Sequence, residues 1–143
     1  MNAGIINFYF ENDFNLNDHD SYEEWLKKVI SSEEKELEEV SYIFCDDQYL
    51  LEINQKYLNH DTYTDIISFD NSVGNILAGD IFISTERVGE NAQEYGVDFQ
   101  EELRRVMAHG ILHFCGYKDK SEEESTLMRQ KEEEKMAMFH VEQ

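Results

Sequence analysis

"DFQEELRRVMAHGILHFCG", Asp98 to Gly116, is the longest stretch of the chain with a helical apolar period. Phe99, Leu103, Val106, Met107, Ile111 and Leu112 recur at the spacing that gathers side chains on one face of an α-helix. Asp98 is a start signal and Gly116 a stop signal, since aspartate caps free N–H groups and glycine accepts the left-handed turn that ends a helix. A helix with so wide an apolar face must be covered, and the elements read outward from it supply the cover.

Upstream, "AGDIFIST" (Ala78–Thr85) and "TDIISFD" (Thr64–Asp70) alternate and are β-branched, so both read as strands. "TERVGENAQEYG" (Thr85–Gly96) between them and the long helix reads as a helix with a glycine end. Further back, "DDQYLLEINQKYLN" (Asp46–Asn59) is a helix begun by an aspartate, and "EVSYIFC" (Glu39–Cys45) a strand. "SYEEWLKKVISSEEKEL" (Ser21–Leu37) is a helix whose Ser21 and Glu24 suit a capping box. "GIINFYF" (Gly4–Phe10) is a first strand, and Ser121 to about Met138 is a highly charged last helix. The order β-α-β-α-β-β-α-α-α predicts an α+β fold: one domain over residues 1–143, with a small sheet of about four strands covered by helices.

The chain has 143 residues, enough for one domain with a sizeable core. At 41 % hydrophobic and 13 % aromatic residues it is globular, not disordered. It has no proline, so turns rest on Gly, Asn and Asp. Its two cysteines, Cys45 and Cys115, form no C-x-x-C pair and suit a reducing compartment. The start "MNAGIINFYFENDF" lacks the basic region of a signal peptide, and no apolar run is long enough to span a membrane. A cytoplasmic setting without membrane contact is expected. A net charge of −20 argues against a general nucleic-acid binder, whose affinity comes from neutralising phosphates.

His109 and His113 lie four apart on the long helix, so their side chains sit roughly 40° apart on one face, a turn from each other. Two imidazoles so placed can share one metal ion. Gly110 stands between them, leaving room for a substrate or another element. Beyond the turn at Gly116, Asp119 can swing back to complete a His-His-Asp set. Such a set leaves the fourth position open, as in catalytic zinc sites, where bound water reaches a pKa near 7. The plain alternative is two partly buried core histidines. Cys115, two residues from His113, faces elsewhere and reads as core. Arg104, Arg105, Lys118 and Lys120 make the neighbourhood locally cationic and are candidates for binding an anionic substrate. Alternatively the two arginines form ion pairs with Glu101 and Glu102.

"HGILHFCGYKD" resembles the H-G-x-L-H-L-x-G-Y-D-H signature of the YbeY family, metal-dependent endoribonucleases of ribosomal RNA maturation. "TDIISFD" resembles that family's T-D-V-L-S-F-P, "AGDIFIS" its L-G-D-I-x-I-S, and "LLEINQKYLNHD" its L-N-x-x-Y-R segment, all in the family's order between Leu51 and Asp119. The resemblance implies a mixed sheet and one zinc-like ion on the central helix and the loop after it, held by His109, His113 and Asp119. The family has histidine at the third place, arginine where this chain has Leu58, and proline where it has Asp70. An aspartate ligand is harder and anionic, so metal-bound water is less acidified. The change at Asp70 is a change of turn.

The implied activity is single-strand-specific endoribonuclease action in maturation of the 16S ribosomal RNA 3′ end and in ribosome quality control. The expected partners are ribosomal RNA and small-subunit ribosomal proteins or assembly factors; no nucleotide cofactor is expected. Gly110 stands where H-E-x-x-H proteases carry a catalytic glutamate. Either the metal-activated water acts unaided or Asp65 or Asp80 assists, unless those two only bond to strand ends. Ser68 and Thr64 are candidates for touching substrate. No RNA-binding module is evident. The acidic runs Glu33–Glu39 and Glu122–Glu134 are either solvated faces or docking surfaces for basic partners. Two other functions fit the same residues: an assembly factor with a structural metal and no catalysis, and a metal-dependent hydrolase of another substrate such as a peptide.

Overall fold

The computed structural model describes residues 4–60 and 63–139. Asp61 and His140 lie outside the described residues. The elements follow the expected order: β1 (Ile5–Phe10), α1 (His19–Ser32), β2 (Glu36–Cys45), α2 (Asp47–Leu58), β3 (Ile66–Asp70), β4 (Ile76–Ser84), α3 (Thr85–Tyr95), α4 (Phe99–Phe114) and α5 (Glu122–Met136). They form one α+β domain around a single four-stranded sheet in the order β1-β2-β4-β3. β1, β2 and β4 are parallel neighbours and β3 runs antiparallel to β4, so the sheet is mixed.

Strand parity decides which residues meet the helices. In β4, Gly79, Ile81 and Ile83 face α4; Asp80 and Phe82 face the other way. In β3, Ile66 and Ser68 share the α4 side, while Ile67 joins Cys45 and Leu50 beneath α2. The α4 side holds the main core, built from Trp25, Leu26, Val40, Tyr42, Phe44, Ile81, Leu103, Met107 and their neighbours. Here α4 is central: it packs on α1, α3, α5 and the sheet. The buried Tyr42 hydroxyl donates to the Met107 carbonyl at 2.8 Å and fixes the helix over the strands.

Gly110 is explained by this packing. A Cβ there would lie 2.9 Å from Ile81 Cδ1 and 3.2 Å from Ile66 Cδ1. The missing side chain makes room for the sheet, not for substrate. Asp98 caps α4, accepting from the Glu101 N–H at 2.8 Å. At the other end Gly116 takes φ 107, with Tyr117 N–H bonded to the Leu112 carbonyl and Gly116 N–H to that of His113. That is a Schellman ending, and it turns the chain back along the helix.

The largest boundary differences concern α1. It starts at His19, two residues before the expected Ser21, and the Ser21–Glu24 capping box does not form. Asp18 stands left-handed at φ 61, and Ser21 Oγ donates to its carboxylate at 2.7 Å. The helix stops at Ser32 because Glu36 and Leu37 pair with Ile76 and Leu77 of β4. Sheet pairing overrides the helical propensity of "EEKEL". A capping box that was not anticipated forms at the last helix, between Ser121 and Glu124.

Candidate active site

The ends of β3 and the outer face of α4 enclose a cleft of about 380 Å³. His109, His113, Asp119, Asp65, Ser68, Thr64 and Arg105 all line it. His113 is exposed at the helix end and His109 half-buried one turn earlier. The loop that follows the Schellman turn brings Asp119 back, with Oδ2 3.3 Å from His109 Nε2. Two structural bonds hold that loop to α5: Ser125 Oγ donates to the Asp119 carbonyl at 2.9 Å, and Glu124 accepts from the Lys120 N–H at 3.1 Å.

The decisive neighbour is Glu132 of α5. Its carboxylate is almost fully buried, and Oε2 lies 2.7 Å from His109 Nδ1. Burial alone would raise the Glu132 pKa; the bond from His109 and the charge of Arg105 outweigh it and hold the carboxyl below its ordinary range. An ionised acceptor at Nδ1 is the partner that holds the ring proton there whenever Nε2 serves as a ligand atom toward the cleft. This is the carboxylate–histidine support that metal-ligating histidines receive.

Arg105 ties the arrangement together. Its Nε and Nη2 grip Glu102 at 2.9 and 2.5 Å, Nη1 reaches Glu132 at 3.2 Å, and Nη2 lies 3.8 Å from Asp65 Oδ2. Burial opposes its charge, but these carboxylates keep it firmly protonated. Asp65 also accepts from Asn91 Nδ2 at 3.4 Å. Burial raises the Asp65 pKa against the opposing pull of Arg105 and His109.

Several expectations need correction. Asp80 is on the opposite face of the sheet and does not line the cleft. Arg104 lies over the Phe139 ring, 4.8 Å from its centroid, away from the cleft. Arg105 does line it, but its guanidinium is engaged by three carboxylates, so it is a positioning group and not a free phosphate binder. Lys118 and Lys120 are exposed on either side of the cleft-lining Asp119, a placement that does not contradict their expected role. Leu58 is exposed at the end of α2 and also outside the lining. Cys115, read as core from the sequence, does pack against it, and burial pushes its thiol up to about 11. Glu132 and Asn91 were not singled out from the sequence; Glu102 was named only as an ion-pair partner for the arginines, which it is for Arg105. The readable signal for Glu132 is the stripe Met128–Glu132–Lys135, all three buried on one side of α5.

Two ligands bonded tetrahedrally at about 2.0–2.1 Å stand about 3.3–3.4 Å apart, which matches the 3.3 Å between His109 Nε2 and Asp119 Oδ2. Among the described residues no set of three or more His, Cys, Asp or Glu side chains already stands at mutual metal-holding distances. His113 lines the same cleft one helical turn along and is the third donor the site offers. Imidazole and carboxylate donors at an open cleft suit a catalytic zinc-like ion better than a closed structural one.

The family model of endoribonuclease YbeY matches residues 8–140. The chain belongs to the endoribonuclease YbeY family. The endoribonuclease YbeY of Christiangramia forsetii is 63 % identical over 143 residues, all of both chains. That of Flavobacterium johnsoniae is 61 % identical over 139 residues, 97 % of this chain and 100 % of the relative. That of Bacteroides thetaiotaomicron is 48 % identical over 115 residues, covering 80 % and 84 %. The solution structure of TM1509 from Thermotoga maritima superposes with a TM-score of 0.68 at 26 % identity, over 94 % of this chain and 89 % of that one. The YbeY assignment therefore rests on the whole domain, not on the histidine motif alone. Among the described residues no helix is long and apolar enough to cross a membrane.

Proposed function

We propose that the chain is a metal-dependent endoribonuclease that hydrolyses single-stranded RNA, with one ion, zinc by our reading, held by His109, His113 and Asp119. The observation that carries this is the line Glu132–His109–Asp119 across the mouth of the cleft, at 2.7 and 3.3 Å. A zinc ion there would polarise the phosphoryl group and lower the pKa of the attacking water.

The chain's own groups supply the rest. Glu132 fixes the His109 tautomer and ring plane. Glu102 and Glu132 hold Arg105, and Arg105 with Asn91 holds Asp65 at the cleft wall. Asp65, with its pKa raised by burial, takes the proton of the attacking water at a carboxylate oxygen and returns it to the leaving sugar oxygen. The Ser68 hydroxyl, on the same wall, donates to a phosphate oxygen. Gly110 takes no part, so the absent protease-type glutamate is no defect.

By this reading the substrate is the 3′ end of 16S ribosomal RNA, and the work includes ribosome quality control in the cytoplasm. Small-subunit proteins or assembly factors deliver the RNA, because a chain of net charge −20 holds free RNA poorly. The test is a chromosomal His113→Ala substitution with the folded protein present at its normal level. Accumulated 16S precursor with an unprocessed 3′ end supports the proposal. Normal processing would leave a non-catalytic assembly factor as the better reading.

A further inference from the structure

We propose that Tyr63, backed by Arg87, is a stacking site for a nucleobase of single-stranded RNA at the edge of the cleft, about one nucleotide from Asp65. The proposal rests on the nuclease reading of that cleft and names how its substrate is held.

The Arg87 guanidinium sits over the Tyr63 ring, 5.4 Å from the centroid, within cation–π range. Arg87 is itself fixed: Asp47 Oδ2 holds Nη2 at 2.7 Å and Glu90 holds Nη1 at 3.4 Å. Ser84 Oγ donates to the other Asp47 oxygen at 2.7 Å. One face of the ring is thus covered by an anchored cation. Tyr63 nevertheless remains 54 % exposed, so about half of its surface is open to solvent.

The position follows from α3. Arg87 and Asn91 are four residues apart on that helix, one turn or about 6 Å. Asn91 touches Asp65 inside the cleft and Arg87 touches Tyr63. Tyr63 is also two residues before Asp65, so their backbones lie within about 7 Å, comparable with one nucleotide step in an extended strand. In sequence it directly precedes Thr64 and Asp65, both of the cleft wall.

Stacking also suits this chain's electrostatics. Arg105 is engaged by carboxylates and Arg104 by Phe139. A π face binds a base without neutralising phosphates and tolerates any sequence. Arg87 under the ring strengthens the platform without offering its charge to the strand.

The test uses the full-length protein stripped of metal and a fluorescein-labelled single-stranded oligoribonucleotide, read by anisotropy. Tyr63→Ala should weaken binding about five- to a hundredfold, and Tyr63→Phe, which keeps the ring, should restore it. Melting temperatures separate this from a ring that merely shields Arg87. Should Tyr63→Ala melt below the assay temperature, Tyr63→Leu carries the comparison, since it covers Arg87 without a π face. In the zinc-loaded enzyme the same variants should raise KM by a similar factor and lower kcat far less. The proposal is overturned if Tyr63→Ala binds as wild type does, if Tyr63→Phe loses as much as Tyr63→Ala, or if wild type retains no oligonucleotide. A protein that binds RNA through Tyr63 but does not cleave it refutes the nuclease reading alone. One that cleaves RNA with the Tyr63→Ala KM unchanged refutes the stacking site alone.

Discussion

Replacing Glu132 by glutamine keeps the shape of the side chain and removes its charge. In the native protein this carboxylate makes two charge-assisted hydrogen bonds, 2.7 Å to His109 Nδ1 and 3.2 Å to Arg105 Nη1, with Arg129 Nη1 at the longer distance of 3.9 Å. Glutamine can still accept from His109, but no longer as an anion, so the ring is a weaker base and its tautomer less strictly fixed. Loss of such a supporting carboxylate typically costs about 10- to 100-fold in metal affinity, equivalent to about 1.4–2.8 kcal/mol. Because glutamine keeps the acceptor, Glu132→Gln should fall near the lower end and Glu132→Ala near the upper. Glu132→Ala also leaves Arg105 with one buried partner fewer, and breaking such a pair costs about 3–5 kcal/mol of stability. Competition titration of zinc against a chromophoric chelator measures the affinities, and thermal melts of the metal-free proteins measure the stabilities. Unchanged zinc affinity in a folded Glu132→Gln protein would refute the claim that Glu132 prepares His109 as a ligand.

Other outcomes follow from the same geometry. Asp65→Asn should lower kcat by about a hundredfold or more with little change in KM, as expected for a proton-transfer group. Asp80→Asn, on the far face of the sheet, should stay within about twofold of wild type; equal losses in single-turnover cleavage would contradict the assignment. Gly79→Ala should destabilise more than Gly110→Ala. A Cβ at 79 meets the Phe69 carbonyl and lies 2.7 Å from Phe114 Cζ, whereas at 110 it meets only side-chain methyls of Ile81 and Ile66. Overpacking of this kind costs about 1–3 kcal/mol, readable as a lower Tm. Burial alone would raise the Glu33 pKa, but Lys135, Tyr117 and Lys131 together hold it below the ordinary carboxylate value. A depressed folded pKa stabilises above the unfolded value and is lost as pH falls through the folded one. Glu33→Gln should therefore be less stable than wild type at neutral pH, with the difference shrinking as pH falls below the ordinary glutamate value of about 4.3; a difference in Tm that does not shrink as the pH is lowered further would refute this.

Much of the site was readable because it lies on one strongly periodic helix. The apolar stripe of α4, its Asp98 cap and the Gly116 ending together determine where His109 and His113 point and where Asp119 returns. Asp80 was also legible: strict alternation in "GDIFIS" puts it opposite Ile81, and Ile81 belongs to the core. Glu132 was hidden in an acidic run that reads as solvated surface. Its burial depends on Arg105 and His109 arriving from another helix, a tertiary fact. For Arg105 the sequence left substrate binding and ion pairing with a neighbouring glutamate both open; Glu102 was in view, but Glu132 and Asp65 arrive only with the tertiary fold. The early start of α1 and its early stop reflect local bonding at Asp18 and sheet pairing at Glu36, neither of which helical periodicity records.

The most direct test titrates the metal-stripped protein with zinc and follows cleavage of a single-stranded RNA. A proton shared by His109 and Asp119 would satisfy their 3.3 Å contact as well as an ion does, so stoichiometry must be read alongside activity. Cleavage that rises to a plateau at one zinc per chain, and that disappears in a folded His109→Ala protein, is the predicted result. Equal cleavage by the metal-stripped protein, or by His109→Ala, would contradict it.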